Sequence, residues 1–198
     1  MKIIIDKEQL LKTVQTATHF TSQRLSTVQS LQGALFSVED GKLHIYATDL
    51  NTHYHARLTL KTTPKEKGRF ILDPKKLSEF LTLLSPGDVV LAVDDKKVVA
   101  QKEKTQGTFG IMSGEDFPAP PILEEKPLTL NVAQFRKTLP YVLFATSRDE
   151  SRPTLTGVNF LSNTGELVMV ATDGFRLSLL KEKNTQKIPS MLIPGGFL

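Results

Sequence analysis

Two histidines at alternate positions, His53 and His55, follow an aspartate, Asp49. Residues two apart in an extended chain point to the same face, so the pair could hold a transition-metal cation. With Asp49 beside them they would make the core of a metal-dependent hydrolase. No thiolate or further carboxylate stands in an adjacent register, however, and two solvent-facing strand histidines explain the pattern equally. Asp173 sits in the same local sequence as Asp49, which raises the idea of paired carboxylates for acid–base work. Each aspartate also ends an apolar run, where capping of a turn accounts for both without a shared active site. Neither a GxxxxGK[ST] loop nor a GxGxxG occurs. The chain is therefore expected to carry no catalytic set, no metal and no cofactor.

The basic residues offer a different chemistry. Lys12 falls opposite the Leu10/Val14/Ala17 face of a predicted helix, with Gln15 and His19 on its side. Lys75 and Lys76 open a second helix, and Arg136 and Lys137 lie on a third. Arg24, Arg148 and Arg152 fall in the loops after the first and third. Helices in series could present these cations to phosphates without reading bases. The same pattern also suits helices that simply show their lysines to water.

Both sets of residues hang on a duplicated framework. Residues 31 to 49, LQGALFSVEDGKLHIYATD, return 124 positions later as LTGVNFLSNTGELVMVATD, with eight of nineteen positions identical and no gap. Upstream the repeat continues at a spacing of 125, and Ile71-Leu72-Asp73 lies opposite Leu192-Ile193-Pro194. Fixed-period similarity of this kind marks a repeated structural unit. Each cycle reads as strand, helix, three strands. In the first, Lys2 to Ile5 is a strand, Asp6 caps a helix, and strands follow at Leu31 to Val38, Leu43 to Thr48 and Thr52 to Leu60. Asp40-Gly41 marks a hairpin turn. The second cycle runs from a strand at Arg69 through a helix broken by Pro86-Gly87 to strands at Val89 to Val93, Lys97 to Gln101 and Thr108 to Met112. Residues 113 to 127, with four prolines, read as a linker. A third cycle has a strand at Leu128 to Leu130, a helix kinked at Pro140, and strands at Thr154 to Leu161, Leu167 to Thr172 and Arg176 to Lys181. Ser190 to Ile193 opens a fourth. The expected class is α+β, with module I over residues 1–124 and an incomplete module II over 125–198.

Composition sets the outer limits. With 198 residues and 39% hydrophobic content the chain can bury two cores, and no apolar run approaches the ~20 residues that span a bilayer. The absence of cysteine removes disulfides and thiol chemistry and fits a reducing compartment. A net charge of +4 permits a polyanionic partner without demanding one.

The segments ATSRDESRPTLTGVNF (145–160) and VATDGFRLSLL (170–180), supported by TDL at 48–50, LDPKKL at 72–77 and EDFP at 115–118, resemble the bacterial DNA polymerase III beta subunits, the sliding clamps. The resemblance covers the whole chain. It implies a ring of two subunits, each of three modules joined head to tail, with helices lining the hole and sheets outside. Such a ring encircles double-stranded DNA, slides without reading sequence, and performs no catalysis. Position by position it makes Arg24 a DNA-contacting residue and places Arg148 and Arg152 in the equivalent loop. Lys12, Lys75, Lys76, Arg136 and Lys137 become helix cations facing the duplex. It further implies half of a pocket for short peptides of the replicative polymerase, the clamp loader and repair proteins, at Leu155, Thr172, Gly174, Phe175, Arg176 and Leu177. Phe175 departs from the histidine usual there, and the basic balance departs from the acidic one usual in whole clamps. A third module is absent from the sequence, so the chain is expected to be an N-terminal piece, monomeric by itself, of a bacterial cytoplasmic protein whose full length dimerises. A truncated scaffold or decoy that binds partners without encircling DNA is the alternative.

Overall fold

The computed structural model describes residues 1–22, 28–62, 64, 67–119, 121, 132–184 and 188–198. Contacts divide the chain into two units, Met1–Ile122 and Leu123–Leu198.

Unit 1 begins with strand β1 (Lys2–Asp6), whose last residue caps helix α1 (Lys7–Thr18) by accepting the Gln9 N–H at 2.9 Å. A short 3-10 turn, Gln29–Gln32, leads into strands β2 (Ala34–Glu39), β3 (Lys42–Thr48) and β4 (His53–Thr59). The expected strand start at Leu31 is therefore a tight turn. Its apolar side chain is buried all the same, which is why the run reads as strand. Asp40 and Gly41 both take positive φ, 50° and 72°, as a two-residue hairpin of matching twist requires. The second half repeats the plan: strand β5 (Gly68–Leu72), helix α2 (Pro74–Thr82) capped by Asp73, and strands β6 (Asp88–Val93), β7 (Lys97–Lys102) and β8 (Thr105–Gly110). A two-residue strand, β9 (Met112–Ser113), closes the unit's strand set.

The two halves exchange their first strands. One sheet runs β1-β6-β7-β8 and the other β4-β3-β2-β5-β9, so β1 joins the second half and β5 the first. Both sheets turn alternate apolar residues onto α1 and α2, which pack on each other, and all share one core. Leu10, Val14, Ala17, Leu77 and Leu81 are fully buried there, and Phe36 stacks on Phe70 at 5.3 Å. Lys7 is buried as well: its ammonium donates to the Leu84 carbonyl at 3.0 Å and meets Glu8 at 2.9 Å, tying the start of α1 to the end of α2.

The supposed linker is partly built into unit 1. Ser113 and Met112 pair with Phe70 and Ile71 of β5, and Phe117, 6% exposed, packs on Leu35, Ile71 and Tyr46 on the sheet's outer face. The four prolines made the stretch read as a linker. A single aromatic anchor holds its beginning down instead.

Unit 2 carries helix α3 (Val132–Thr138) and helix α4 (Pro140–Leu143), a 3-10 turn Pro153–Leu155, and strands β10 (Gly157–Asn163), β11 (Glu166–Thr172), β12 (Leu177–Lys183) and β13 (Met191–Pro194). Pro140 ends one helix and starts the next, since its ring nitrogen has no hydrogen to donate. The expected strand at Leu128 to Leu130 lies outside the described residues. The sheet runs β12-β11-β10-β13, with Val158, Phe160, Leu167, Met169 and Ala171 facing a second core shared with Leu139 and Val142. Registers repeat those of unit 1. Leu35 pairs with Ile71 as Asn159 pairs with Leu192, and Ala47 pairs with Tyr54 as Ala171 pairs with Ser178.

The glycine common to both L-x-G motifs has a steric cause. A Cβ on Gly157 would lie 2.7 Å from the Ile193 carbonyl oxygen of β13, and one on Gly33 would meet Ile71 and, at 3.2 Å, the Leu72 carbonyl of β5. Only a residue without a side chain lets the fourth strand approach.

Candidate functional site

The corner between β11 and β12 is assembled by local hydrogen bonds. The Thr172 hydroxyl donates to the Arg176 carbonyl at 2.7 Å and accepts the Gly174 N–H at 3.1 Å. Asp173 accepts the N–H groups of Phe175 and Arg176, both at 3.0 Å. The first copy has the same set: Thr48 with Thr52 and Leu50, and Asp49 with Asn51 and Thr52. Both aspartates therefore cap turns. The Arg176 and Phe175 N–H groups, followed by the Arg176 side chain, hold the Asp173 carboxyl below the usual carboxylate range. The position after each aspartate has positive φ, 76° at Leu50 and 92° at Gly174, and only the second copy fills it with glycine.

These bonds hold the turn rigidly while its side chains project outward. Phe175 is 99% exposed and Leu177 65%. Arg176 donates its Nε–H to Asp173 at 2.9 Å and lies over the Phe144 ring, 5.5 Å from its centroid. Along β12 the alternation sends Leu177 and Leu179 outward, while Leu180 reaches the core and Ser178 donates to the Tyr141 carbonyl at 2.6 Å. Leu155 is half-buried on the Pro153–Leu155 turn. That turn lies close to the corner, for the Arg152 guanidinium is 3.8 Å from where a Cβ on Gly174 would stand. Thr172, Gly174, Phe175, Arg176 and Leu177 thus form one corner, with Leu155 on the adjoining turn. Exposed Phe144, Tyr141 and Leu179 join this apolar surface and were not singled out from sequence. The outward alternation of the LSLL run could have revealed Leu179; nothing local marked Phe144.

The predicted cations are all at the surface where they are described. Lys12 on α1, Lys75 and Lys76 on α2, and Arg136 and Lys137 on α3 are exposed. Lys76 stands 3.7 Å from Asp73, whereas Arg136 and Lys137 occupy the last turn of α3, where cations complement the helix dipole. Arg148 and Arg152 are exposed with Asp149 and Glu150 between them, so this loop is locally neutral. The Ser151 hydroxyl and N–H keep the Asp149 carboxyl low. Arg24 lies outside the described residues.

His53 and His55 share the outer face of β4, but His55 pairs with another partner. His44 Nδ1 lies 3.0 Å from His55 Nε2, and Tyr46 stacks on His55 at 4.3 Å. Partial burial, with His44 and Arg57 nearby, shifts His55 down from its ordinary value. Among the described residues no group of three or more His, Cys, Asp or Glu side chains could hold a metal ion, and no helix is long and apolar enough to cross a membrane.

Comparison with known proteins places this architecture. The sequence profile of the DNA polymerase III beta subunit, N-terminal domain, matches residues 1–121, and that of the central domain of the same subunit matches residues 129–197. The chain belongs to the DNA polymerase III beta subunit family. The beta sliding clamp of Synechocystis sp. is 30% identical over 189 residues, which cover 91% of this chain and 48% of the relative. The Thermotoga maritima beta subunit has the same fold, with a TM-score of 0.88 at 23% identity over 98% of this chain and 53% of that one. A Pseudomonas aeruginosa sliding clamp, solved bound to griselimycin, superposes with a TM-score of 0.79 at 26% identity over 98% of this chain and 54% of its own. This beta subunit chain spans about half the length of the relatives it matches.

Proposed function

We propose that this chain supplies the first module and the opening part of the second (residues 1–124 and 125–198) of a DNA sliding clamp. The clamp encircles double-stranded DNA without sequence preference, acts as processivity factor of the replicative polymerase in the bacterial cytoplasm, and carries out no catalytic step. Membership of the beta subunit family, matched in order by its N-terminal and central domains, is the observation that carries the reading. In it, Lys12, Arg24, Lys75, Lys76, Arg136, Lys137, Arg148 and Arg152 attract the phosphate backbone by charge alone. Ring closure as a homodimer makes the attachment topological, so weak individual contacts suffice and sliding stays free. The rigid corner at Thr172–Leu177, with Leu155, receives partner peptides from the polymerase, the clamp loader and repair proteins. Its exposed apolar side chains on a hydrogen-bonded turn suit that task, because little ordering is left to be done on binding.

The deciding experiment uses the native gene product loaded on nicked circular plasmid by a clamp loader. Retention through gel filtration is expected on the circle, and release when the plasmid is cut to a linear form. Retention that ignores DNA topology would refute encirclement.

A further inference from the structure

The outer face of β3 and β4 carries a side-chain cluster apart from the helix cations and from the β11–β12 corner. Register sets Tyr46 opposite His55 and His44 opposite Arg57, so His44 and His55 are diagonal neighbours on one face. His44 Nδ1 and His55 Nε2 lie 3.0 Å apart, with their rings 15° from parallel. The Tyr46 hydroxyl stands 3.4 Å from the same His44 nitrogen, and its ring stacks on His55 with centroids 4.3 Å apart. Stacking limits rotation of the His55 ring, and half-burial limits that of His44 and Tyr46. The sheet thus gives His55 a partner across the strands, where the sequence offered His53 two places along.

We propose that His44 Nδ1 and His55 Nε2 chelate a late first-row transition ion of tetragonal preference, copper(II) foremost and nickel(II) after it, with the Tyr46 hydroxyl beside it as an oxygen donor. Neutral imidazole binds metals through either ring nitrogen. With the hydrogen of each ring on its far nitrogen, both facing lone pairs are open to one ion. Metal–nitrogen bonds of about 2.0 Å to nitrogens 3.0 Å apart enclose roughly 97° at the ion. That is near the right angle of a square-planar or octahedral site, and short of the tetrahedral angle zinc takes. A donor set of nitrogen and oxygen has the same preference. Arg57, opposite His44, and Lys42, two places along β3, oppose binding; both are exposed, so salt screens their charge. Two imidazoles leave further positions on the ion to water or to another ligand. The site lies within unit 1 and does not depend on encirclement.

Copper(II) chloride titrated into the whole chain at neutral pH, followed by tyrosine emission and electron paramagnetic resonance, tests this. The chain has three tyrosines and no tryptophan, so a paramagnetic ion beside Tyr46 removes a readable share of the emission. Saturation is expected at one equivalent, with the resonance split by two imidazole nitrogens. His44→Gln and His55→Gln should each lower affinity at least about tenfold. His19→Gln and His53→Gln should bind as the unaltered chain does. Titrated alone in a calorimeter, nickel should bind more tightly than zinc. The proposal is overturned by no saturation up to about millimolar copper, by undiminished binding in His44→Gln, by an equal loss in His53→Gln, or by zinc binding more tightly than nickel. Coordination by fewer than two imidazole nitrogens in the unaltered chain refutes it even where a variant fails to fold.

Discussion

Gly157→Ala is the sharpest probe of how the second unit is assembled. A Cβ there would stand 2.7 Å from the Ile193 carbonyl oxygen, 3.1 Å from its carbon and 3.1 Å from Leu192 Cδ1. The leucine can turn aside; the backbone of β13 cannot without leaving its register with β10. Ordinary contact begins near 3.4 Å, so the strand must retreat by about 0.7 Å. Overpacking of this order costs about 1–3 kcal/mol, against which the reduced freedom of the unfolded chain returns about 0.4–1 kcal/mol. A net destabilisation of about 1–2 kcal/mol is expected, and in a unit this small each kcal/mol moves Tm by about 4–8 °C. Thermal unfolding measures the total, and amide exchange locates it. Protection should fall in β13 well before β11 and β12, because the added Cβ presses on β13 itself at Ile193 and Leu192. Unchanged Tm with intact β13 protection would refute the idea that the glycine is required by strand approach.

Four other outcomes follow. Leu177→Ala should abolish binding of partner peptides to the native clamp yet lower stability by under about 1 kcal/mol, since the side chain is largely in water; titration calorimetry and a melting curve separate the two. Leu10→Ala, at a fully buried position of α1, should cost about 2–5 kcal/mol in urea unfolding. His55 has a folded pKa below its unfolded value of about 6.5, so its contribution is fully present above that pH and stability declines as pH falls below it. His55→Gln should flatten the stability profile between pH 7 and 5, and an unaltered slope would count against the burial of the imidazole as the cause. Replacing Arg136 and Lys137 by glutamine should reduce the salt dependence of DNA retention by about one unit of slope for each phosphate that is no longer neutralised, with no change in base preference.

Much of this architecture was legible because its determinants are local and occur twice. Thr48-Asp49 and Thr172-Asp173 announce the corners, Asp6 and Asp73 the helix starts, and Asp40-Gly41 the hairpin, each through bonds within a few residues. The exchange of β1 and β5 was not legible, since pairing between strands far apart leaves no mark on either one's pattern. Leu31 was read as strand because an apolar side chain in a 3-10 turn can be buried as deeply as one in a sheet, whereas Thr154 lies on a 3-10 turn with no buried side chain, and the strand there starts only at Gly157. Phe117 was noticed only within the EDFP motif of a proline-rich stretch, and its packing on Leu35 and Ile71 was not. At the corner, the residues drawn from the resemblance came together, while Phe144 joined them through its tertiary stacking with Arg176, which spacing alone does not encode.

The exchange of first strands has a consequence for synthesis. Lys2 of β1 pairs with Ala92 of β6, ninety residues away, and Asp6 with Asp88. At about 5–20 residues per second the ribosome needs roughly 5–20 s to deliver that partner. Through that interval the isoleucines of KIIID lack their strand partner, and only the Lys61 N–H, which bonds the Ile4 carbonyl at 2.9 Å, and the Thr62 hydroxyl, which accepts the Ile4 N–H at 3.3 Å, arrive earlier. The flanking charges Lys2, Asp6, Lys7 and Glu8 are therefore the chain's protection against premature association during translation. Removing them should reveal itself in yield of soluble protein before it does in the melting temperature of what folds.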